Sequence, residues 1–422
     1  MSAQPVSGPT AETAETAVST VSTESAGPGV STVDRSVGVT APRGFRAAGI
    51  AAGIKESGNP DLALVVNDGP SDVAAGVFTE NKVKAAPVLW SRQVLRQQRS
   101  RAVVLNSGGA NACTGPEGFQ DAHATAEKVA EVLGIGAIDV VVCSTGLIGE
   151  RLPMPAVLSG VDSAAAALGD AAEDGLAAAV AVMTTDTRPK QAALRDPSGW
   201  TVGGMGKGAG MMAPSLATML VVLTTDAVVE PETADAALRA ASRVTFDRLD
   251  IDGSMSTNDT VLLLASGASG VRPSQEELAA ALTAVSADLA AQMQADAEGV
   301  TKEITITVTG AASEADALTV ARWVARDNLV KTALFGSDPN WGRIAAAAGA
   351  APAELDPDRL DVTINGVLLC EGGAKAAERS AADLSGRHVT VHIGLGLGGG
   401  EATVLTTDLS HGYVEENSAY SS

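Results

Sequence analysis

Aromatic residues make up only 3% of this 422-residue chain, so no core can be built around Trp, Tyr or Phe. Ala, Val, Leu and Ile must fill the interior, packed closely around 45 glycines. Three cysteines (Cys113, Cys143, Cys370), without a C-x-x-C pair, exclude a disulfide framework. Basic residues are also scarce: 29 Lys and Arg face 50 Asp and Glu, a net charge of −21. That balance argues against nucleic acid or an anionic membrane as partner, because both need a basic patch. No apolar run approaches the roughly 18 residues of a spanning helix, and no secretory pattern opens the chain. A reduced, cytoplasmic setting and small-molecule chemistry are expected.

Residues 1–36 are rich in Ser, Thr, Ala, Glu and Gly and poor in large apolar side chains. Such a segment cannot offset its ordering entropy and is read as a disordered tail. Beyond it the pattern is mixed α and β. A helix is expected over 116–133, with Ala122, Ala126, Val129 and Leu133 on one face and Gly134 as its stop. Residues 139–143 read as a strand leaving through Ser144-Thr145-Gly146. Ser274 and Glu277 form a capping box ahead of the Leu278, Leu282, Val285, Leu289 and Met293 stripe. EITITVT reads as a half-buried strand, and a second helix is expected from about Ser313 to Val330. Asn365-Gly366 signals a hairpin, and two further strands flank a glycine-rich stretch within 387–407. This mixture favours a layered α/β sandwich over regular βαβ winding.

Several motifs fail on context. GLGLGG at 394–399 fits a dinucleotide fingerprint, but a strand-like segment follows where a helix is required. GGMGKGAG lacks the first glycine of a phosphate loop, because Thr201 stands there, and Gly208 replaces the hydroxyl that would meet magnesium. His388 and His392 can share a strand face, with no third ligand near. Cys113 reads as a small buried thiol. No metal and no cofactor are expected.

KGAGMMAPSLATMLVVLTTDA raises a different question. A flexible loop runs into a buried apolar strand at Ala217-Thr218. A threonine hydroxyl within a chain has nothing beside it to take its proton. Once the preceding peptide bond is cut, the new α-amine, with a reference pKa of about 7.7–8.0, sits on the same residue and can act as its base. Alone, the threonine reads better as an ordinary strand opener than as a nucleophile.

The wider sequence resembles the ornithine acetyltransferases, also called glutamate N-acetyltransferases. The resemblance runs from about Val37 to Ser422, through KGAGMMAPSLATML, GFRAAGIAAGIK, NSGGANACTG, STGLIGERLPM, MTTDT, AEGVTK, GSDPNWGRI and DLSHGYVEENSAYSS. It implies the α/β sandwich of that family, akin to the self-cleaving aminopeptidases and N-terminal-nucleophile-like. It also implies scission at Ala217-Thr218 into chains 37–217 (with the tail, 1–217) and 218–422, the latter with a smaller C-terminal α/β region. The two would remain entwined and assemble as a heterotetramer of two α and two β chains. The implied reaction moves acetyl from N2-acetylornithine to L-glutamate by a ping-pong route, with Thr218 as nucleophile and Thr145 and Gly146 as oxyanion donors. Thr184, Lys207, Thr218, Glu298, Asn417 and Ser422 are the implied substrate-binding residues. Many members end in threonine, whereas this chain ends in Ser422, which offers the same hydrogen bonds. Whether acetyl-CoA also serves as donor stays open here, as do two rivals: a hydrolase of the same fold, and a non-catalytic binding protein.

Overall fold

The computed structural model describes residues 32–212 and 219–419. Strands β1 (Phe45–Ile50), β2 (Leu62–Asn67), β4 (Ala102–Asn106) and β5 (Val140–Ser144) form one sheet in the order β1-β2-β4-β5. A second contains β3 (Val73–Phe78), β6 (Lys190–Arg195), β7 (Thr201–Lys207), β8 (Leu220–Thr225) and β9 (Thr260–Ala265), ordered β3-β9-β8-β7-β6. Only two pairings in these sheets, among the described residues, are parallel, β4 with β5 and β8 with β9. Each needs a crossover. Helix α2 (Gly115–Leu133) supplies the first and α5 (Pro231–Val244) the second.

β8 shows how the layers stack. Leu220 and Val222 join the core shared with the first sheet, while Val221 and Leu223 join the core beneath α5 and α6 (Gln275–Ala295). A strand alternates faces with period two, so an unbroken apolar run is what burial on both sides demands. Helices α1 (Ala86–Val94), α3 (Met154–Ala166) and α4 (Ala172–Ala181) pack with α2 on the first sheet. The result is a helix–sheet–sheet–helix sandwich, as the sequence suggests.

A third sheet follows, of β10 (Glu303–Ala311), β11 (Asp361–Ile364), β12 (Val367–Glu371), β13 (Ala374–Lys375), β14 (His388–Gly394) and β15 (Gly400–Thr407). It packs with α7 (Glu314–Arg326), α8 (Asn328–Phe335) and α9 (Trp341–Ala350), and is followed by α10 (His411–Ala419). Gln294 on α6 ties it to the sandwich, donating to the Ile304 and Thr406 carbonyls at 2.9 and 2.8 Å.

The capping box at Ser274, the left-handed stop at Gly134 (φ 68°) and the Asn365-Gly366 hairpin (φ 45° and 79°) form as expected. β15 follows the glycine-rich stretch, so the dinucleotide reading stays excluded. Three expectations are corrected. The 313–330 helix breaks at Asp327, whose carboxylate accepts the Val330 N–H at 2.9 Å and starts α8 as a new helix. Residues 32–36 belong to the fold rather than the tail: Asp34 exchanges both backbone hydrogen bonds with Ala193 at 2.8 Å, and Arg35 pairs with Asp288 at 2.7 Å. Cys113 is exposed, because the turn into α2 holds it in the left-handed region at φ 58° and leaves it at the surface. The buried thiols are Cys143 and Cys370, and burial pushes Cys143 up to about 12. β14 and β15 do not pair with each other; they flank β10. Among the described residues, no helix is long and apolar enough to cross a membrane.

Small residues set the layer spacing. A Cβ on Gly49 in β1 would sit 1.9 Å from the Ala177 carbonyl oxygen in α4. Gly49→Ala should therefore force α4 off the sheet and destabilise the protein by about 1–3 kcal/mol. Urea unfolding should show a lower midpoint with an unchanged slope; an unchanged midpoint would mean that α4 shifts at no cost.

Candidate active site

Six of the residues expected from the sequence come together. Thr145, Gly146, Thr184, Lys207, Glu298 and Asn417 all line one cavity of about 290 Å³ between the sheets and the C-terminal helix. Ala217, Thr218 and Ser422 lie outside the described residues. The chain on either side of the segment is placed, however. Met212 and Met219 are buried, and Lys207, Gly210 and Met211 on the approach line the same cavity.

Thr145 and Gly146 form the turn leaving β5. The Thr145 N–H donates to the Asn106 carbonyl at 2.9 Å and its own carbonyl accepts from Gly109 at 3.0 Å, so the backbone is fixed. Its hydroxyl is buried and has no hydrogen-bond partner among the described residues. A buried polar group without a partner is uncommon and calls for an explanation. Gly146 adopts φ 128°, and a Cβ there would lie 2.5 Å from the Gly109 nitrogen. Only glycine fits this close approach.

Opposite charges face this turn. Lys207 ends β7 and is 1% exposed. Burial pushes its ammonium downward, while Asp186, at 3.9 Å, acts to hold it up. Asp186 is the hub of this wall. It accepts from Lys190 Nζ at 2.6 Å, from the Gly208 N–H at 2.8 Å and from the Thr184 N–H at 3.1 Å. Burial would raise its carboxyl, but Lys207 and Lys190 outweigh that and hold it at about 2. Lys190 also meets Asp296 at 2.6 Å. Glu298 follows α6, and its carboxylate accepts from Asn417 Nδ2 of α10 at 2.9 Å. The cavity thus presents an ammonium, a carboxylate and neutral donors, a set suited to a zwitterionic amino acid.

Sequence reasoning missed Asp186, although it lies within MTTDT, two residues after Thr184. It also missed Asp252, which accepts the Met211 N–H at 2.6 Å and is pushed up to about 6 by burial. Ser256, Thr257 and Asn258 line the cavity as well. Nothing periodic marks them.

The ArgJ family model matches residues 46–422. The chain belongs to the ArgJ family. A relative from Mycolicibacterium paratuberculosis, named arginine biosynthesis bifunctional protein ArgJ, is 65% identical over 393 residues, covering 92% of this chain and 97% of that protein. The Streptomyces coelicolor protein of the same name is 60% identical over 385 residues, 91% of this chain and all of the relative. Among solved structures, the ornithine acetyltransferase of Mycobacterium tuberculosis, complexed with ornithine, is 59% identical. That match covers 45% of this chain and 100% of the other, with a TM-score of 0.44. In this ArgJ-family chain every cavity residue named above lies within the matched region.

Removing the Asp186 charge should take a counter-charge from both Lys190 and Lys207. The folded carboxyl lies below its ordinary 3.8, so its contribution is full above about pH 4 and is lost as pH falls towards 2. Asp186→Asn should be less stable than wild type by about 3–5 kcal/mol near neutral pH. The gap in urea unfolding should narrow below pH 4, and a gap independent of pH would contradict the assignment.

Proposed function

We propose that this chain transfers acetyl from N2-acetylornithine to L-glutamate through an acetyl ester on Thr218. The observation that carries the reading is the pairing, in one cavity, of the orphaned Thr145 hydroxyl beside the Gly146 turn with the buried Lys207 ammonium and the Glu298 carboxylate. The names of the relatives support the same chemistry.

Scission at Ala217-Thr218 gives Thr218 a free α-amine. That amine takes the hydroxyl proton as the Thr218 oxygen attacks the acetamide carbonyl. The tetrahedral oxyanion is met by the Thr145 hydroxyl and the Gly146 N–H. Ornithine leaves with the proton, and the acetyl ester remains. The glutamate amine attacks that ester through a second oxyanion, releases N-acetylglutamate and restores Thr218. Lys207 holds the substrate α-carboxylate, Glu298 with Asn417 meets an ammonium, and Thr184 and Ser422 fix orientation. The word bifunctional in the relatives' names supports acetyl-CoA as a second donor. A cytoplasmic heterotetramer of two 1–217 and two 218–422 chains completes the reading.

Denaturing intact-mass measurement should give two species meeting at Ala217/Thr218, and Thr218→Ala should stay uncut and inactive. A single uncut chain in an active sample would exclude the mechanism. Acetyl transfer should require glutamate; equal consumption of N2-acetylornithine without it would make the chain a hydrolase. Thr145→Val should lower kcat by about 10²–10³-fold, the usual loss for one oxyanion donor. Lys207→Ala should act mainly on KM.

A further inference from the structure

Two consecutive residues outside the expected set grip both halves of this machinery. Asn258 is buried and lines the cavity. Its Nδ2 donates to the Ser144 carbonyl at 2.8 Å and to the Ala110 carbonyl at 2.6 Å. The Ser144 carbonyl belongs to the peptide bond that Thr145 nitrogen completes, so this contact sits at the root of the oxyanion turn. The Thr257 hydroxyl donates to Asn258 Oδ1 at 2.5 Å and fixes which way the amide faces.

Asp259 reaches the other way. It is fully buried, and its Oδ1 accepts the Met219 N–H at 3.1 Å. That nitrogen forms the peptide bond to Thr218. The second oxygen, Oδ2, has no hydrogen-bond partner among the described residues. Burial pushes the carboxyl well above its ordinary value, against the Met219 and Ser256 hydrogen bonds and the Lys207 charge that pull it down. Immediately after it, β9 pairs in parallel with β8, Leu220 opposite Thr260, and the Thr260 N–H donates to the Met219 carbonyl at 3.1 Å.

We infer that Asn258-Asp259 is a positioning bracket that sets the separation between Met219, the residue bonded to the Thr218 nucleophile, and the Thr145-Gly146 turn. The inference rests on the acetyl-transfer reading above. Side-chain packing alone lets two sheets slide, whereas neighbouring residues are joined by a fixed step of about 3.8 Å between Cα atoms. One residue grips the exit of β5 and the next grips the entrance of β8. A misplacement of about 1 Å between reacting groups can reduce rate about 10²-fold. The loss from breaking the bracket therefore falls on kcat, while the groups that bind substrate stay in place.

The test measures kcat and KM for acetyl transfer from N2-acetylornithine to glutamate, per cleaved and folded chain, with intact mass and thermal unfolding as controls. Asn258→Ala and the near-isosteric Asn258→Asp, which loses the donor, should each lower kcat about 10²-fold with KM changed less than about threefold. Asp259→Leu should do the same, and Asp259→Asn, which keeps an oxygen for the Met219 N–H, should recover at least about tenfold of that loss. Adding Thr145→Val to Asn258→Ala should lower kcat by much less than Thr145→Val does alone, because the two act as one unit. Wild-type kcat in folded Asn258→Asp, a loss confined to KM, or fully additive effects would overturn the bracket and leave the acetyltransferase reading standing. A wild-type chain that transfers no acetyl would overturn both.

Discussion

The parallel pairing of β8 with β9 is the constraint from which the rest of the site follows. Its register, Leu220 opposite Thr260 through Thr225 opposite Ala265, is locked because both strands are buried on both faces. A slip of one residue would exchange the two faces and send each core's side chains into the other. With that slip forbidden, Met219 has to lie beside Asp259 and Asn258 has to lie at the mouth of the first sheet. The parallel geometry also requires a crossover, and α5 then covers the face that the first sheet does not.

Composition and cavity are linked through the same layers. A core of Ala, Gly and aliphatic residues lets sheets and helices approach closely, as at Gly49 against α4. Close layers leave little room for polar groups, so those present are held by dense networks, and the ones left without partners stand out. Thr145, in the cavity lining, and Asp259, which holds the Met219 N–H, each keep one buried oxygen without a hydrogen bond among the described residues. Unsatisfied groups of this kind are costly in a dry interior.

Elements defined by local signals were legible in the sequence. The Ser274 capping box, the Gly134 stop and the Asn365-Gly366 turn each depend on neighbouring residues alone, and each formed as read. The break at Asp327 was missed because the apolar periodicity runs on past it, although the aspartate is a good cap. Pairing partners were less accessible: β14 and β15 are close in sequence, yet β10 lies between them. In the cavity, resemblance brought out six of the residues that line it. Asp186, Asn258 and Asp259 act on other protein groups from behind or beside them, and no spacing rule records a contact such as that of Asn258 with Ser144, 114 residues away.

Behind the cavity wall runs an alternating line of buried charge: Asp296, Lys190, Asp186 and Lys207, with separations of 2.6, 2.6 and 3.9 Å. Each interior member balances two neighbours, so replacing an interior one takes a counter-charge from both of them at once. A single replacement within this line is therefore costly, whereas an exposed pair such as Arg239 with Asp235 contributes little and can be lost cheaply. The lysine in the cavity wall is therefore held in its charged surroundings partly by residues that lie behind it.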